Sequence, residues 1–203
     1  MIDLTGKTGV IVGLKGTGKS TFANKILNEF GSNAIYYDTV WEAPENALFD
    51  IYRPRNRYSV AELSAVITSV VPANVNLLPK YRLLVIDECN RFCRPKPANL
   101  PDAVADLNDQ CRHYLMSALF IARRPSQLNQ DLTELADYLF IFRLTGKNDI
   151  MFLENTVSGL GDAVLSLQKY EFICVNPDRS FDICEPVQAD ELWLNRAKSL
   201  INR

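Results

Sequence analysis

Histidine is almost missing from this chain: His113 is the only one in 203 residues. No histidine-based triad can be built with spare partners. There is no excess of either charge, 22 basic against 24 acidic side chains and a formal net charge of −2. The global basic signature of a protein that coats DNA is therefore absent, although a motor can hide its DNA contacts in a channel made by several subunits. No apolar run approaches the length of a membrane span, and Met1-Ile2-Asp3-Leu4-Thr5 lacks the basic start and apolar core of a signal peptide. Internal repeats and low-complexity segments are also lacking. The five cysteines, Cys89, Cys93, Cys111, Cys174 and Cys184, are an odd number, which fits reduced cytosolic thiols. Cys89, Cys93, Cys111 and His113 can be sketched as a zinc site, but their spacing matches no standard structural-zinc pattern.

What is present begins with Gly13-Leu14-Lys15-Gly16-Thr17-Gly18-Lys19-Ser20, which fits the phosphate-binding pattern G-x-x-x-x-G-K-[ST]. Glycines let the backbone turn sharply and bring its N–H groups close to phosphate oxygens. Lys19 can reach the β- and γ-phosphates, the Ser20 hydroxyl can ligate Mg²⁺, and Thr21 is a candidate adenine- or phosphate-side contact. The context agrees. Thr8 to Val12 reads as a short strand, and Thr21 to Phe30 as a helix that ends at Gly31 and points its positive dipole end at the anion.

Downstream, Asn33 to Tyr37 reads as a strand ending at Asp38, a candidate for the site or a turn-starting Asp. Leu48 to Tyr52 is a further strand candidate. Arg53, Arg55 and Arg57 alternate, so on an extended segment they would share one side. Ser59 and Glu62 make a capping box for a helix from Val60 to about Val70. Tyr81 to Ile86 then runs into Asp87-Glu88, a buried parallel strand ending in two carboxylates. This is a Walker B pattern: Asp87 serves the Mg²⁺ shell, and Glu88 orients and deprotonates the attacking water. A kinase that must exclude water would not want Glu88 there.

Asn90 to Pro101 is a loop carrying Arg91, Arg94 and Lys96, followed by a helix from Asp102 to about Tyr114. Leu115 to Ala122 is a buried strand ending at Arg123-Arg124, where a guanidinium can sense or stabilise a γ-phosphate. Asp131 to Ala136 reads as a helix, Asp137 to Arg143 as the last parallel strand, and Lys147 to about Val157 as a helix broken at Ser158-Gly159-Leu160-Gly161. Tyr170 to Val175 and Ser180 to Cys184 form a hairpin, and Gln188 to Ile201 a last helix.

The order of P-loop, Asp-Glu strand, basic loop, helix with Arg112-His113, Ala-Arg-Arg-Pro-Ser-Gln and Leu-Ala-Asp-Tyr-Leu-Phe-Ile-Phe-Arg resembles the FtsK–HerA group of P-loop ATPases. Within it, the chain is most similar to the small genome-packaging ATPases of membrane-containing tailless viruses and to phage assembly ATPases of the zonula-occludens-toxin type. The resemblance covers about residues 8 to 145, and its group-level part is Arg112 to Arg143. Members usually carry Gln at the sensor position, where Arg123 stands here. The resemblance implies an ATP- and Mg²⁺-dependent motor forming a homo-oligomeric ring, a hexamer, that threads double-stranded DNA. It also implies an arginine finger supplied by a neighbour, with Arg124, Arg112, Arg143 and the Arg53–Arg57 group all open. A capsid or membrane protein at the packaging vertex is an expected partner, and the host cytoplasm or the virion the expected location.

The fold expected is one α/β domain over residues 1–203: a RecA-like P-loop NTPase of the ASCE type, with a mainly parallel sheet, helices on both faces and an antiparallel hairpin at one edge. The expected catalytic set is Lys19, Glu88, Arg123 and Arg124. Gly13 through Thr21 bind nucleotide, and Ser20 and Asp87 hold the metal. The rival functions are a morphogenesis or secretion ATPase that moves protein, a nucleoside or nucleotide kinase, and a switch with little turnover.

Overall fold

Continuous apolar runs build the centre of the molecule. The computed structural model describes residues 3–73 and 77–189. Strands β1 (Thr8–Val12), β2 (Ala34–Tyr37), β4 (Leu83–Ile86), β5 (Ser117–Ala122) and β6 (Tyr138–Phe142) are buried along their whole length. That is the signature of parallel strands covered on both faces. With β3 (Asp50–Tyr52) they form the parallel part of an eight-stranded sheet, ordered β3-β2-β4-β5-β1-β6-β7-β8. The last two strands, β7 (Phe172–Val175) and β8 (Phe181–Cys184), pair antiparallel at one edge. This is the expected hairpin, so the parallel sheet with its antiparallel edge is as the sequence implies. β5 stands between β1 and β4, so the P-loop strand and the Asp-Glu strand are not neighbours.

Because side chains alternate across a strand, the sheet divides its core in two. Val10, Val12, Leu84, Ile86, Phe120 and Ile141 face one way. They pack with Leu63 and Ile67 of α2 (Val60–Val70), Val104 and Leu107 of α3 (Asp102–Gln110), Leu132 of α4 (Gln130–Glu134), Leu153 of α5 (Lys147–Thr156) and Val164 of α6 (Leu160–Ser166). Ile11, Leu83, Val85, Leu119, Phe140 and Phe142 face the other way, against Phe22, Ala23, Ile26 and Leu27 of α1 (Lys19–Phe30). There Phe22 is wedged among Phe140 and Phe172, with ring centroids 4.7 and 4.8 Å away.

The helix ends follow their capping residues. Gly31, at φ 53°, ends α1, as read from the sequence. The Ser59 hydroxyl accepts the Glu62 N–H at 3.1 Å and starts α2. The other half of the capping box differs. The Glu62 carboxylate accepts the N–H groups of Arg55 and Asn56, at 2.8 and 3.0 Å, and the Tyr52 hydroxyl at 3.0 Å. The chain from Arg53 to Ser59 is therefore turned, and the three arginines do not line one edge. The seven-residue α6 was not expected from the sequence. Gly159, at φ 82°, is its N-cap residue where a simple break was read. The helix expected over Gln188 to Ile201 lies outside the described residues apart from Gln188 and Ala189, which are not helical.

Candidate nucleotide site

Four strand ends converge at the carboxyl edge of the sheet. Gly13 follows β1, Asp38 follows β2, Asp87 follows β4 and Arg123 follows β5. The loop from Gly13 to Gly18 rests on Phe142 at the end of β6. A methyl group on Gly13 would stand 2.5 Å from Phe142 Cβ, and one on Gly18, at φ 110°, 3.2 Å from the Phe142 ring. Only glycine admits so close an approach. The Thr17 hydroxyl donates to the Leu14 carbonyl at 2.8 Å and tightens the loop. Leu14 N–H is tied to the Arg143 carbonyl at 3.2 Å. Lys19 opens α1, and its ammonium donates to the carbonyls of Gly13 and Leu14, at 2.6 and 2.8 Å. Burial pulls its pKa down to about 8, while the charges of Glu88 and Asp87 act the other way. Ser20 and Thr21 occupy the first turn of α1, half-buried.

Opposite the loop, Asp87 is buried, and burial with the neighbouring Glu88 charge pushes its pKa up to about 7. Glu88 has a left-handed backbone, φ 48° and ψ 42°. That conformation costs about 1–2 kcal/mol for a residue with a Cβ and collects at functional sites. It turns the carboxylate onto Arg123. Arg123 Nε donates to Glu88 Oε1 at 2.7 Å, with Arg91 Nε 4.0 Å from the other oxygen. The guanidinium is 51% exposed and the carboxylate 13%, so the pair lies at the mouth of the site.

Arg124 goes elsewhere. Its Nε donates to Asp149 Oδ2 at 2.8 Å, and the same buried carboxylate accepts the Ser126 hydroxyl at 2.6 Å. The chain thus clamps the end of β5 to the start of α5, and Arg124 is not turned to Glu88. Asp38 is a turn organiser. It is fully buried and accepts the N–H groups of Trp41, Glu42 and Ala43 at 2.7, 3.2 and 3.1 Å. Arg53 Nε lies 3.6 Å from it and donates through its other nitrogen to the Ala43 carbonyl at 2.9 Å. Arg57 sits 5.5 Å over the Trp41 ring. In the basic loop, Lys96 is paired with Asp131 at 2.7 Å, while Arg112 and Arg143 are exposed. Cys89 and Cys93 are buried thiols 3.5 Å apart, and Cys111 lies against the Gly6 carbonyl.

No family model matches this chain, and no curated protein does. Solved structures do. The DNA-packaging ATPase B204 of Sulfolobus turreted icosahedral virus superposes with a TM-score of 0.75 at 16% identity, over 92% of this chain and all of that one. The genome-packaging NTPase B204 of Sulfolobus turreted icosahedral virus 2, in complex with ATPγS, gives 0.73 at 15% identity, over 90% and 98%. The N-terminal domain of zonular occludens toxin from Neisseria meningitidis gives 0.53 at 12%, over 94% and 98%. The chain has the P-loop NTPase fold.

In that fold the P-loop faces a nucleotide–Mg²⁺ complex, and the donor set here suits one. Mg²⁺ takes oxygen ligands and is usually held by one or two side chains together with phosphates and water. Ser20 and Asp87 supply such oxygens. Among the described residues, no three His, Cys, Asp or Glu side chains form a metal cage of their own. A buried carboxylate whose proton affinity is raised is also one that gains from a cation. No helix of the described residues is long and apolar enough to cross a membrane.

One site residue escaped the sequence reading. Glu42 is half-buried, and burial with the Asp38 charge raises its pKa, with Lys15, Glu88 and Arg123 also acting on it. The only available signal was its place a few residues after β2. Its direction depends on a turn that Asp38 makes and that Trp41 enters at φ 62°.

Proposed function

We propose that this chain is an ATP-hydrolysing motor subunit that moves double-stranded DNA, packaging a viral genome from within a homo-oligomeric ring. The observation that carries hydrolysis is Glu88: a carboxylate at the mouth of the site, one residue after the Mg²⁺-side Asp87 and 2.7 Å from Arg123. A fold likeness that spans the B204 packaging ATPases almost end to end supports the motor reading.

In this reading the loop N–H groups and Lys19 bind phosphates, which compete with the Gly13 and Leu14 carbonyls for the ammonium. Ser20 and Asp87 hold Mg²⁺, which offsets phosphate charge when bound. Glu88 takes the proton of the attacking water. Arg123 is the one strand-end guanidinium that already faces that carboxylate, so the γ-phosphate contact falls to it. Arg124 keeps a share only if its Asp149 clamp opens. A neighbouring subunit supplies the arginine finger, for which Arg55, Arg57, Arg112 and Arg143 are exposed candidates.

The test is steady-state ATP hydrolysis, with and without long double-stranded DNA, at low salt because phosphate contacts weaken steeply as salt rises. DNA stimulation of the wild type supports the motor. Hydrolysis indifferent to DNA moves the reading to an ATPase that acts on protein. Phosphate transfer to a nucleoside or nucleotide faster than to water would overturn both in favour of a kinase.

A further inference from the structure

β7 runs antiparallel to β6, so its first residue, Phe172, pairs with Phe142, the last of β6. The turn before β7 is therefore delivered to the carboxyl edge of the sheet, beside the P-loop. It spans Gln168 to Glu171. Glu171 N–H donates to the Gln168 carbonyl at 3.3 Å, and Gln168 N–H donates to the Glu171 carboxylate at 2.7 Å. Tyr170 is the third residue of this turn, at φ 71°. Turns with a left-handed third residue take glycine or asparagine there, so a tyrosine holds the position against backbone strain. Its side chain is 44% exposed. Its ring lies 3.7 Å from where a Cβ on Gly18 would stand, and the Lys169 ammonium is 4.9 Å from its centroid.

The rest of the site fixes which end of a nucleotide arrives there. Asp87, Glu88 and Arg123 follow β4 and β5, on one side of β1, and mark the γ-phosphate end. A nucleotide laid along the loop with that orientation sends its sugar and base to the other side, over β6 and β7. The topology agrees. β1 departs through α1 toward β2, and β6 departs through α5 and α6 toward β7, so the two strands make the crevice where an open α/β sheet binds ligands.

We infer that Tyr170 is the base-stacking residue of this site, offering the purine of bound ATP the ring face that Lys169 does not cover. The inference rests on the nucleotide-binding reading above, and the experiment separates the two. Titration calorimetry with ATP and with inorganic tripolyphosphate, both with Mg²⁺, is run on the wild type and on Tyr170→Ala, Tyr170→Phe and Tyr170→Gly. Losing one base stack should weaken ATP roughly tenfold in the Ala and Gly variants, leave tripolyphosphate unchanged, and spare the Phe variant. Tyr170→Gly should also melt at a higher temperature than the wild type, because glycine relieves the left-handed backbone. That combination, a more stable protein with poorer ATP binding, is what a merely structural tyrosine would not produce. Undiminished ATP binding in Tyr170→Gly overturns the inference alone, as does an equal loss of ATP and tripolyphosphate, which would make the tyrosine a support of the phosphate loop. A wild type that binds neither probe overturns the nucleotide reading and this inference with it.

Discussion

On one side of β1, the ends of β4 and β5 bring Asp87, Glu88, Arg91 and Arg123 within reach of one another. On the other side, the ends of β6 and β7 bring Phe142, Phe172 and Tyr170. The first flank is charged, largely buried apart from the exposed Arg123, and strained at Glu88. The second is aromatic: Phe142 and Phe172 are stacked at 5.2 Å and buried, and Gly13 and Gly18 of the loop lie close against Phe142. A phosphoryl group needs cations and a base where charge develops, and a loop that must hold its amides in place needs a rigid, apolar rest. In the proposed function the two flanks divide those tasks across a single strand.

The largest expected effect breaks the charged flank. Glu88→Gln keeps the shape and removes the base, so turnover should fall about a thousandfold with ATP affinity nearly unchanged. Turnover near that of the wild type would mean that another carboxylate takes the proton, and Glu42 would be the first to examine. The next effect breaks the aromatic flank. Phe142→Ala deletes a side chain that touches both Gly13 and Gly18 and packs on Phe22 and Phe172. A loss of about 3–5 kcal/mol in urea unfolding is expected. An unchanged midpoint would show that the loop does not depend on this rest.

How much of this could be read beforehand differs between the flanks. That the Gly13–Ser20 loop lies between a strand and a helix, and that Asp87-Glu88 ends a buried strand, was legible because both motifs have fixed spacing and flanking apolar runs. The central strands were legible because burial on both faces makes them continuous apolar runs, and the hairpin because its turn chemistry is local. Part of what escaped depends on long-range partners. Arg123 and Arg124 are adjacent and identical in type, yet one meets Glu88 across the neighbouring strand and the other meets Asp149, 25 residues on. Nothing local distinguishes them. The alternating arginines failed as an extended edge because Glu62 caps the Arg55 and Asn56 amides and turns the chain. Helix α6 escaped because its glycines read as breakers. Gly159 is a left-handed N-cap, and at Gly161 an added Cβ would stand 3.1 Å from both Ile150 and Glu154 of α5.

The Arg124–Asp149 clamp is the bridge between the flanks, since it joins the end of β5 to the helix that follows β6. Asp149→Ala would leave Arg124 and Ser126 without their carboxylate. Removing one partner of a buried pair costs about 3–5 kcal/mol. Arg124 is 37% exposed and can turn to water, so about 2 kcal/mol is expected here. Urea unfolding checks it, and a cost near zero would mean that the two flanks are held together by the sheet alone.

The last effect, of similar size, is the most discriminating. Arg123→Gln removes the guanidinium that faces Glu88 and leaves a neutral side chain that can still hydrogen-bond. If Arg123 contacts the γ-phosphate, the variant loses one charged hydrogen bond, worth about 1.5–3 kcal/mol, and kcat should fall about 10- to 100-fold with little change in KM. If the ion pair instead only restrains Glu88, freeing the carboxylate should leave kcat unchanged or raise it. Single-turnover hydrolysis by Arg123→Gln, compared with the wild type at equal ATP occupancy, therefore decides whether the charged flank is assembled for the reaction or held back from it.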